Sequence, residues 1–523
     1  MCAWCLLPAL QHLLAADDFS QLYGQKSDTD ATGDGTASPS DSTGQGSASG
    51  AAKAPDDTNA DLPPIGEGPS PTPAPAADSG ASPDQQAPLP SPTPEQEATP
   101  EPTPESEAPA VQIEPPLPGE QSIQEAANGV PLPANPALQQ QYSEWDLAQV
   151  ESPMFLNAAI DEFNDRPVML TGNWSVQPHF SIGSYYNGNI FLSSQHTESD
   201  LIARAAPGVT MRLGNDESMF YLMADYTLGL DYYIQHPKES SIDQDARAQF
   251  QWSMPKTIIG LTLDVSSERG EDVDVSDLVR RTLYFLGLTS HYSYGEKTSI
   301  DVSADYVRSD YSGLIDSSQV EADAFFNYQY SPKTQVGVGG AAGYMVVPGA
   351  ASQTYEQANL RATYRATGKI TLISEAGMEL REYGSGQGDS LTPVFLIEGA
   401  WVPREGTTVN LDARRSIYAS AILHDQNYTA TSSDLSVSQR ITDYVSVSLA
   451  GGFVNTDYQA TASNVSAMRQ DNYFYIRPAV AWKALSWMSV GIFYEYDQDL
   501  SSGDVQANSF TQNQGGLDLA ILF

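Results

Sequence analysis

Arginine, aspartate and glutamate recur two or four positions apart along several stretches of this chain, and these residue types could bind or conduct a charged ligand. Asp412 and Arg414 are one example. Side chains of an extended strand alternate between its two faces, so residues two apart share a face. The residues that share the polar face in this register are Arg204, Arg212, Asp225, Arg247, Asp264, Asp301, Asp305, Asp323, Arg361, Arg365, Glu375, Glu379, Arg381, Asp412, Arg414 and Asp518. So many ionisable groups could not occupy a dry core, and we expect them to line a water-filled lumen or to pair across one.

The sequence contains no recognisable motif for catalysis or for binding a cofactor. The six histidines are scattered without the spacing of metal ligands, and no G-x-S-x-G turn follows a buried strand. The glycines of residues 337–340 lie inside a predicted strand, where glycine more often marks close packing than a phosphate cradle. The sequence therefore predicts no enzyme, no cofactor and no metal site; the alternative is a hydrolase.

The composition narrows the class of protein further. The 523 residues include 66 Asp+Glu against 25 Lys+Arg, a balance that argues against binding to nucleic acid. No run of about 18 apolar residues could form a membrane-spanning helix. The composition does not exclude a transmembrane β-barrel, because the strands of such a barrel are only half apolar. Cys2 and Cys5 lie within the first five residues, so we expect no disulfide in the folded part.

The N-terminal third differs in composition from the rest. Residues 1–16 resemble the apolar core of a secretory signal and its cleavage site, or are a hydrophobic stretch without meaning; a start upstream would explain the missing basic residues. Residues 17–140 are acidic and rich in proline, which predicts a disordered arm. The arm is either a solvated linker or a tether to the cell wall or an envelope partner. Residues 141–173 are interpreted as a periplasmic lead-in near a barrel mouth.

A repeated hairpin pattern begins at residue 174. Alternating strands are joined by short turns, and longer acidic loops such as residues 266–277 separate the hairpins. The predicted short turns are residues 214–218, 254–256, 294–297, 331–334, 366–369, 402–407, 440–443 and 483–487. Short turns on one side and long loops on the other are typical of an outer-membrane barrel. The pattern predicts an all-β fold, a closed antiparallel up-and-down transmembrane barrel over residues 174–523 with about 18 strands (16 to 20).

Aromatic residues lie at both ends of these strands. Trp and Tyr favour the boundary between lipid and water, so we predict two girdles. Near the short turns lie Trp252, Tyr294, Tyr330, Tyr364, Trp401, Tyr444, Trp482 and Trp487; at the opposite ends lie Tyr232, Tyr311, Tyr383, Tyr418, Tyr458 and Tyr496. The alternative is that strands favour aromatic residues in general.

The last residues alternate in the same way. Leu519, Ile521 and Phe523 share one face, and a strand of this kind needs partner strands on both edges. Because the number of strands is even, the first strand begins and the last strand ends on the short-turn side.

Two stretches resemble known sequences. Residues 187–208 resemble the opening of the Putative beta-barrel porin 2 family, outer-membrane barrels that often accompany exopolysaccharide loci. The terminal apolar residues Leu519, Ile521 and Phe523 resemble the recognition signal of the barrel-assembly machinery. The residues of the first resemblance are Asn189, Ile190, Phe191, Leu192, Ser199, Asp200, Ala206, Pro207 and Gly208.

This resemblance implies a pore in the bacterial outer membrane, for passive diffusion or export of small hydrophilic solutes or saccharides, without naming the cargo. The excess of acid over base on the polar face predicts a weak preference for cations. The alternative is a closed structural barrel that anchors the outer membrane or an envelope partner through residues 17–140. The expected partners are outer-membrane lipid, the barrel-assembly machinery and, through the arm in the periplasm, the cell wall or an envelope protein. The number of subunits is left open.

Overall fold

The computed structural model describes residues 168–171, 173–214, 218–465, 468–503 and 508–523. The signal-like segment of residues 1–16, the predicted arm of residues 17–140 and most of the predicted lead-in lie outside the described residues. Residues 168–171 of the lead-in form a short strand, β1 (Val168–Thr171).

The longer strands follow in chain order, with one short 3₁₀ turn at Pro237–Glu239. They are β2 (Trp174–Asn187), β3 (Asp200–Leu213), β4 (Phe220–Tyr233), β5 (Ser241–Ser253), β6 (Thr257–Asp272), β7 (Asp277–Ser293), β8 (Thr298–Tyr311), β9 (Ser317–Ser331), β10 (Thr334–Val346), β11 (Gln353–Arg365), β12 (Ile370–Tyr383), β13 (Ser390–Arg404), β14 (Thr407–Ala419), β15 (Gln426–Thr442), β16 (Val445–Ala460), β17 (Arg469–Leu485), β18 (Met488–Gly503) and β19 (Phe510–Leu522).

These strands form one closed sheet. Each strand from β2 to β19 pairs antiparallel with the next, and β19 pairs with β2 over Gln514↔Asn187 to Leu522↔His179. The result is the predicted barrel of 18 strands, in which every strand from β2 to β19 pairs with a neighbour on both sides. The short strand β1 pairs with β2 at Val168↔Val176, on the same edge of β2 that β19 occupies from His179 onward.

The short turns lie where the sequence predicts them, each between two consecutive strands. Residues 215–217 of the first turn lie outside the described residues. The turn between β5 and β6 is closed by the Met254 N–H, which donates to the Thr257 carbonyl at 2.8 Å. Gly406, between β13 and β14, has a φ of 74°, a left-handed conformation that glycine adopts without a steric penalty. All the long loops therefore lie at the other end, called here the long-loop end.

The outer surface of the barrel is apolar. Leu360 and Leu391, for example, are 66% and 64% exposed on the outward face. Strands of 13 to 17 residues exceed the 9–11 or so that a tilted strand needs to cross a bilayer. Among the described residues, no helix is long and apolar enough to cross a membrane.

The aromatic girdle at the short-turn end is confirmed, since Tyr330 and Tyr444 are 74% and 64% exposed there and the other predicted members are exposed as well. The girdle predicted at the long-loop end is wrong for several residues. Tyr311 and Tyr458 are 9% and 6% exposed and lie inside the barrel. Their hydroxyl groups donate to buried aspartates there, which an outward position would not allow. Tyr383 is buried inside as well, whereas Tyr232 is 54% exposed on the outside.

The exposed leucine at the middle of β11 provides a test of which face contacts lipid. Leu360→Arg is expected to lower the free energy of unfolding by about 2–4 kcal/mol, because a charge is costly near the bilayer midplane. The matched control Tyr330→Arg, at the membrane boundary, is expected to cost about 0–1 kcal/mol. Denaturant unfolding in lipid vesicles measures both. Equal costs for the two variants would contradict a lipid-facing position of Leu360.

Candidate functional site: the inner wall and the closed end of the barrel

The inner face of the barrel is identified by side chains that meet although their strands are not neighbours. Arg361 Nη1 on β11 lies 3.5 Å from Asp301 Oδ2 on β8. Gln353 Nε2 on β11 donates to Asn427 Oδ1 on β15 at 3.1 Å. Side chains from strands three or four apart can meet only inside a closed barrel. The strand register then extends this face along every strand.

All the ionisable residues predicted to share the polar face lie on this inner face by register. The structure brings several of them together as ion pairs between neighbouring strands. Arg247 Nε lies 2.7 Å from Asp264 Oδ2, and Arg361 Nε lies 3.0 Å from Glu375 Oε2. Arg212 and Arg365 make no ion pair with the described residues. Whether these side chains line a route for solutes stays a prediction.

Other inner-wall carboxylates were not predicted. Glu495, Asp497 and Asp499 alternate along β18 and are 2%, 0% and 0% exposed. Arg477 Nε donates to Glu495 Oε2 at 2.5 Å. The signal was present, since these residues have the same spacing of two, but Tyr494, Tyr496 and Gln498 on the opposite face make the contrast between the faces weak.

One patch of the inner wall, on β9, β11 and β12, combines arginines with aromatic rings. The guanidinium carbon of Arg361 lies 3.6 Å from the centre of the Phe325 ring, and that of Arg381 lies 4.5 Å from the centre of the Tyr355 ring. The Tyr355 hydroxyl donates to Glu321 at 2.6 Å. These contacts fix both guanidinium planes, because a cation is attracted to the face of an aromatic ring. The patch borders a cavity of about 130 Å³.

At the long-loop end, the β6–β7 tip, residues 268–280, turns into the barrel. Its Glu271 accepts hydrogen bonds from Asn187 Nδ2 at 2.5 Å and Gln512 Nε2 at 2.8 Å, on β2 and β19. Its Asp272 accepts a hydrogen bond at 3.1 Å from the Tyr311 hydroxyl on the adjacent strand β8, and its Asp274 accepts one at 2.6 Å from the Tyr458 hydroxyl on β16, on the opposite wall. The tip therefore crosses the mouth of the barrel.

Asp274 holds the end of this tip. It accepts hydrogen bonds from the Tyr458 hydroxyl at 2.6 Å and from the Ala421 N–H at 2.7 Å. Arg469 Nη1 donates to its backbone carbonyl at 2.9 Å. Burial, together with the negative charge of Asp272, raises the pKa of Asp274 above its ordinary value. This one residue thus connects the tip to β16, to β17 and to the loop between β14 and β15.

Apolar side chains fill the space around the tip. Leu192, Tyr473 and Phe510 form one buried cluster, against which Val273 of the tip packs, and Ile190 and Ile202 belong to a second cluster. The expectation of a water-filled lumen is therefore wrong at the long-loop end, where loops fold inward and bury apolar surface. The polar alternation of the strands gave no information about these loops.

A histidine lies at the rim of this closed end. His236 Nδ1 is 2.9 Å from Asp200 Oδ2, and its Nε2 is 2.8 Å from Glu198 Oε2. The hydrogen bond with Asp200 raises the pKa of His236 above its ordinary value. Phe191 meets the His236 ring edge to face at 5.8 Å. A protonated His236 therefore ties the loop after β4 to the start of β3.

Within the described ranges, no group of three or more histidine, cysteine, aspartate or glutamate side chains is placed to hold a metal ion.

The closed sheet, its apolar outer surface and its charged inner wall define the class of protein, a porin-like β-barrel of the bacterial outer membrane. A family model matches the C-terminal part of the chain. Residues 395–523 match the model of the family described as Putative beta-barrel porin 2, which confirms the predicted resemblance over that range. The match includes the terminal strand but not residues 187–208.

Several solved barrels are similar in shape. The outer membrane protein OpdK of Pseudomonas aeruginosa is 11% identical with a TM-score of 0.37, covering 67% of this chain and 99% of that one. OccAB3 of Acinetobacter baumannii is 8% identical with a TM-score of 0.37, and the coverage is the same. The copper transporter OprC is 8% identical with a TM-score of 0.36, covering 68% and 81%. Similarity at this level says nothing about the solute. No curated protein matches the chain.

The hydrogen bonds of Asp274 predict how the closed end can be loosened. Asp274→Ala leaves the Tyr458 hydroxyl and the Ala421 N–H without their buried acceptor, at a local cost of about 1–3 kcal/mol. Hydrogen exchange of residues 272–276 and 420–425 is expected to rise tenfold or more. Asp277→Ala, in the same tip but exposed, serves as the control and is expected to change little. Unchanged exchange in Asp274→Ala would show that the tip is held by other contacts.

The rim histidine predicts a pH dependence. Because the folded pKa of His236 lies above its ordinary value of about 6.5, the stabilisation is fully present below that value and is lost as pH rises through the raised pKa. Hydrogen exchange of residues 234–240, corrected for intrinsic rates, should increase across that range. His236→Gln should abolish the dependence; a variant that keeps it would assign the effect to another group.

Proposed function

We propose that the protein is a channel through which small hydrophilic solutes, saccharides among them, cross the outer membrane by passive diffusion or export. The observation that carries this proposal is the inner wall, where paired charges such as Arg247 and Asp264 continue around the barrel. A wall of this kind offers hydrogen bonds to a hydrated solute.

A weak preference for cations forms part of the proposal. Carboxylates outnumber arginines on the inner wall, as on β18, where Glu495, Asp497 and Asp499 share one face and Arg477 pairs with Glu495. A channel lined by one sign of charge raises the local concentration of the opposite ion.

The β6–β7 tip is proposed to be the gate of this channel. Hydrogen bonds of Asp274 and Glu271, together with apolar packing, hold it in the mouth. Hydrogen bonds are individually weak in net free energy, about 0.5–1.5 kcal/mol each. The proposed opening breaks these contacts and leaves the pairing of β6 and β7 with their neighbouring strands intact.

Orientation and partners are also proposed here. The first residue of β2 and the last residues of β19 both lie at the short-turn end, and short turns of such barrels face the periplasm. Residues 17–140 would then extend into the periplasm toward the cell wall or an envelope protein. Leu519, Ile521 and Phe523 would present the signal for the barrel-assembly machinery.

A second candidate function is a closed structural barrel that anchors the outer membrane or an envelope partner through its acidic arm. The apolar clusters that fill the long-loop end favour it, because a gate that opens must expose them to water. Deletion of residues 17–140 would then impair envelope integrity.

Single-channel recording in planar bilayers separates the two candidates. For a gated channel, we expect rare small openings in the wild type and a several-fold higher open fraction in Asp274→Ala, with potassium favoured over chloride. Removal of residues 270–278 is the second variant, in case one substitution is too mild. Asp277→Ala is the control. A barrel that stays silent in all variants would support the structural candidate, and an anion preference would contradict the proposed selectivity.

A further inference from the structure

The barrel wall opens between β13 and β14 toward the long-loop end. The two strands pair from Trp401↔Val409 to Phe395↔Arg415. Beyond that point β13 stays paired with β12 as far as Ser390, and β14 stays paired with β15 as far as Ala419. Residues 390–394 and 416–419, however, do not pair with each other. If the sheet were continuous, Val394 would stand opposite Ser416.

The opening exists because the end of β14 bends into the barrel. Ala419 packs against the cluster of Ile315, Met345 and Val347, which lies across the interior. The Ile315 N–H donates to the Ala421 carbonyl at 2.9 Å and fixes this position. On the face of β14 where Leu411 is 41% exposed to lipid, Ile417 is only 5% exposed. The strand has therefore left the plane of the wall.

One cavity, of about 130 Å³, borders this opening. It is lined by Glu321 and Arg361 of the inner face and also by Phe395 and Arg415 of the outer face. A continuous sheet would separate the two faces, so a cavity bordered by residues of both faces lies at the gap between the two strands. A cavity of about 150 Å³ is enough to hold a benzene ring, so this one admits a group of roughly that size.

The opening lies at membrane depth. Trp401, in the girdle at the short-turn end, is about seven residues from Val394 along β13. At about 3.3 Å per residue and a tilt near 40°, Val394 is roughly 18 Å above the girdle. The apolar band of such barrels is about 25 Å tall. The opening therefore faces the half of the membrane nearer the long-loop end.

Arg415 is the unusual residue at this opening. It lies on the lipid-facing side of β14, opposite Phe395 in register. Its Nη1 donates to the Thr431 hydroxyl, its Nε has no hydrogen-bond partner, and no carboxylate among the described residues pairs with it. An arginine on this face costs about 2–4 kcal/mol at the midplane and less near the boundary, unless an anion compensates it. The nearby carboxylates of the inner face are already engaged, Glu321 by Tyr355 and Glu375 by Arg361.

We propose that the opening between β13 and β14 is a lateral binding site for a single-chain anionic amphiphile that enters from the membrane. The acidic head binds Arg415, the first few carbons of the chain lie against Val394, Phe395 and Ile417, and the rest of the chain stays in the membrane. This lateral site is separate from the axial solute route and does not depend on it. The ligand is a long-chain carboxylate or one chain of an anionic lipid, which share this chemistry.

Cysteine pairs test whether the wall is open. In a chain with Cys2→Ser and Cys5→Ser, the pair Val394→Cys and Ser416→Cys spans the opening, and the pair Ala400→Cys and Asn410→Cys spans paired wall on the same face. Copper-phenanthroline oxidation in native membranes should form the disulfide at least about tenfold faster in the control pair. Equal rates would show a continuous sheet and overturn the proposal.

Native mass spectrometry tests the ligand, with dodecanoate as the probe and dodecanol as its neutral counterpart. We expect the wild-type barrel to retain one dodecanoate and to bind dodecanol more weakly. Arg415→Gln should weaken dodecanoate binding tenfold or more, because it removes one charge-assisted hydrogen bond. Arg415→Lys keeps the positive charge and should retain most of the dodecanoate binding. Arg308→Gln, at an outward arginine of β8, is the control, and a heat-modifiable gel shift checks that each variant is folded.

The mass of any adduct carried from the outer membrane separates the two sources, a fatty acid or a lipid. Binding of dodecanoate that is unaffected by Arg415→Gln, or no adduct of either kind, would overturn the assignment.

Discussion

The whole structure depends on the rule that backbone N–H and C=O groups inside a membrane must be hydrogen-bonded to protein, because hydrocarbon offers no partner. A strand satisfies only half of these groups on each edge, so the sheet must close, and the pairing of β19 with β2 closes it. Beyond Phe395 and Arg415, β13 and β14 depart from this rule. There the end of β14 turns into the protein interior, where the loop after β8 supplies a hydrogen-bond partner for Ala421, just beyond the strand.

Charged side chains on the inner wall also need partners inside the protein. An isolated charge inside a barrel loses much of its hydration, and the chain compensates this cost by placing an opposite charge on the next strand at the same height. Arg361 illustrates the arrangement, since it contacts Glu375, Asp301 and the Phe325 ring together. Ion pairs of this kind also fix the relative height of neighbouring strands, so the wall that would contact a solute is the same wall that stabilises the register.

The fold could be predicted largely from the sequence, because alternation and short turns are local signals. The interior of the long-loop end could not. Glu271 and Asp274 lie in a stretch that reads as a polar surface loop, and their partners Asn187 and Tyr458 are 84 and 184 residues away. The prediction that placed Tyr311 in the outer aromatic girdle was wrong for an identifiable reason. Tyr311 has the same strand parity as Asp305, so the register already placed it inside, and the general preference of tyrosine for membrane boundaries outweighed that information.

Strand β2 is unusual in carrying two partners in line along one edge. β19 occupies this edge from Asn187 to His179, and β1 occupies its remainder from Val176 to Trp174. If β19 slid by two residues toward the short-turn end, it would collide with β1. The short strand therefore acts as a stop that sets the stagger of the last strand against the first. Because stagger and strand number together determine the diameter of a barrel, four residues next to the seam help to set the width of the whole cylinder.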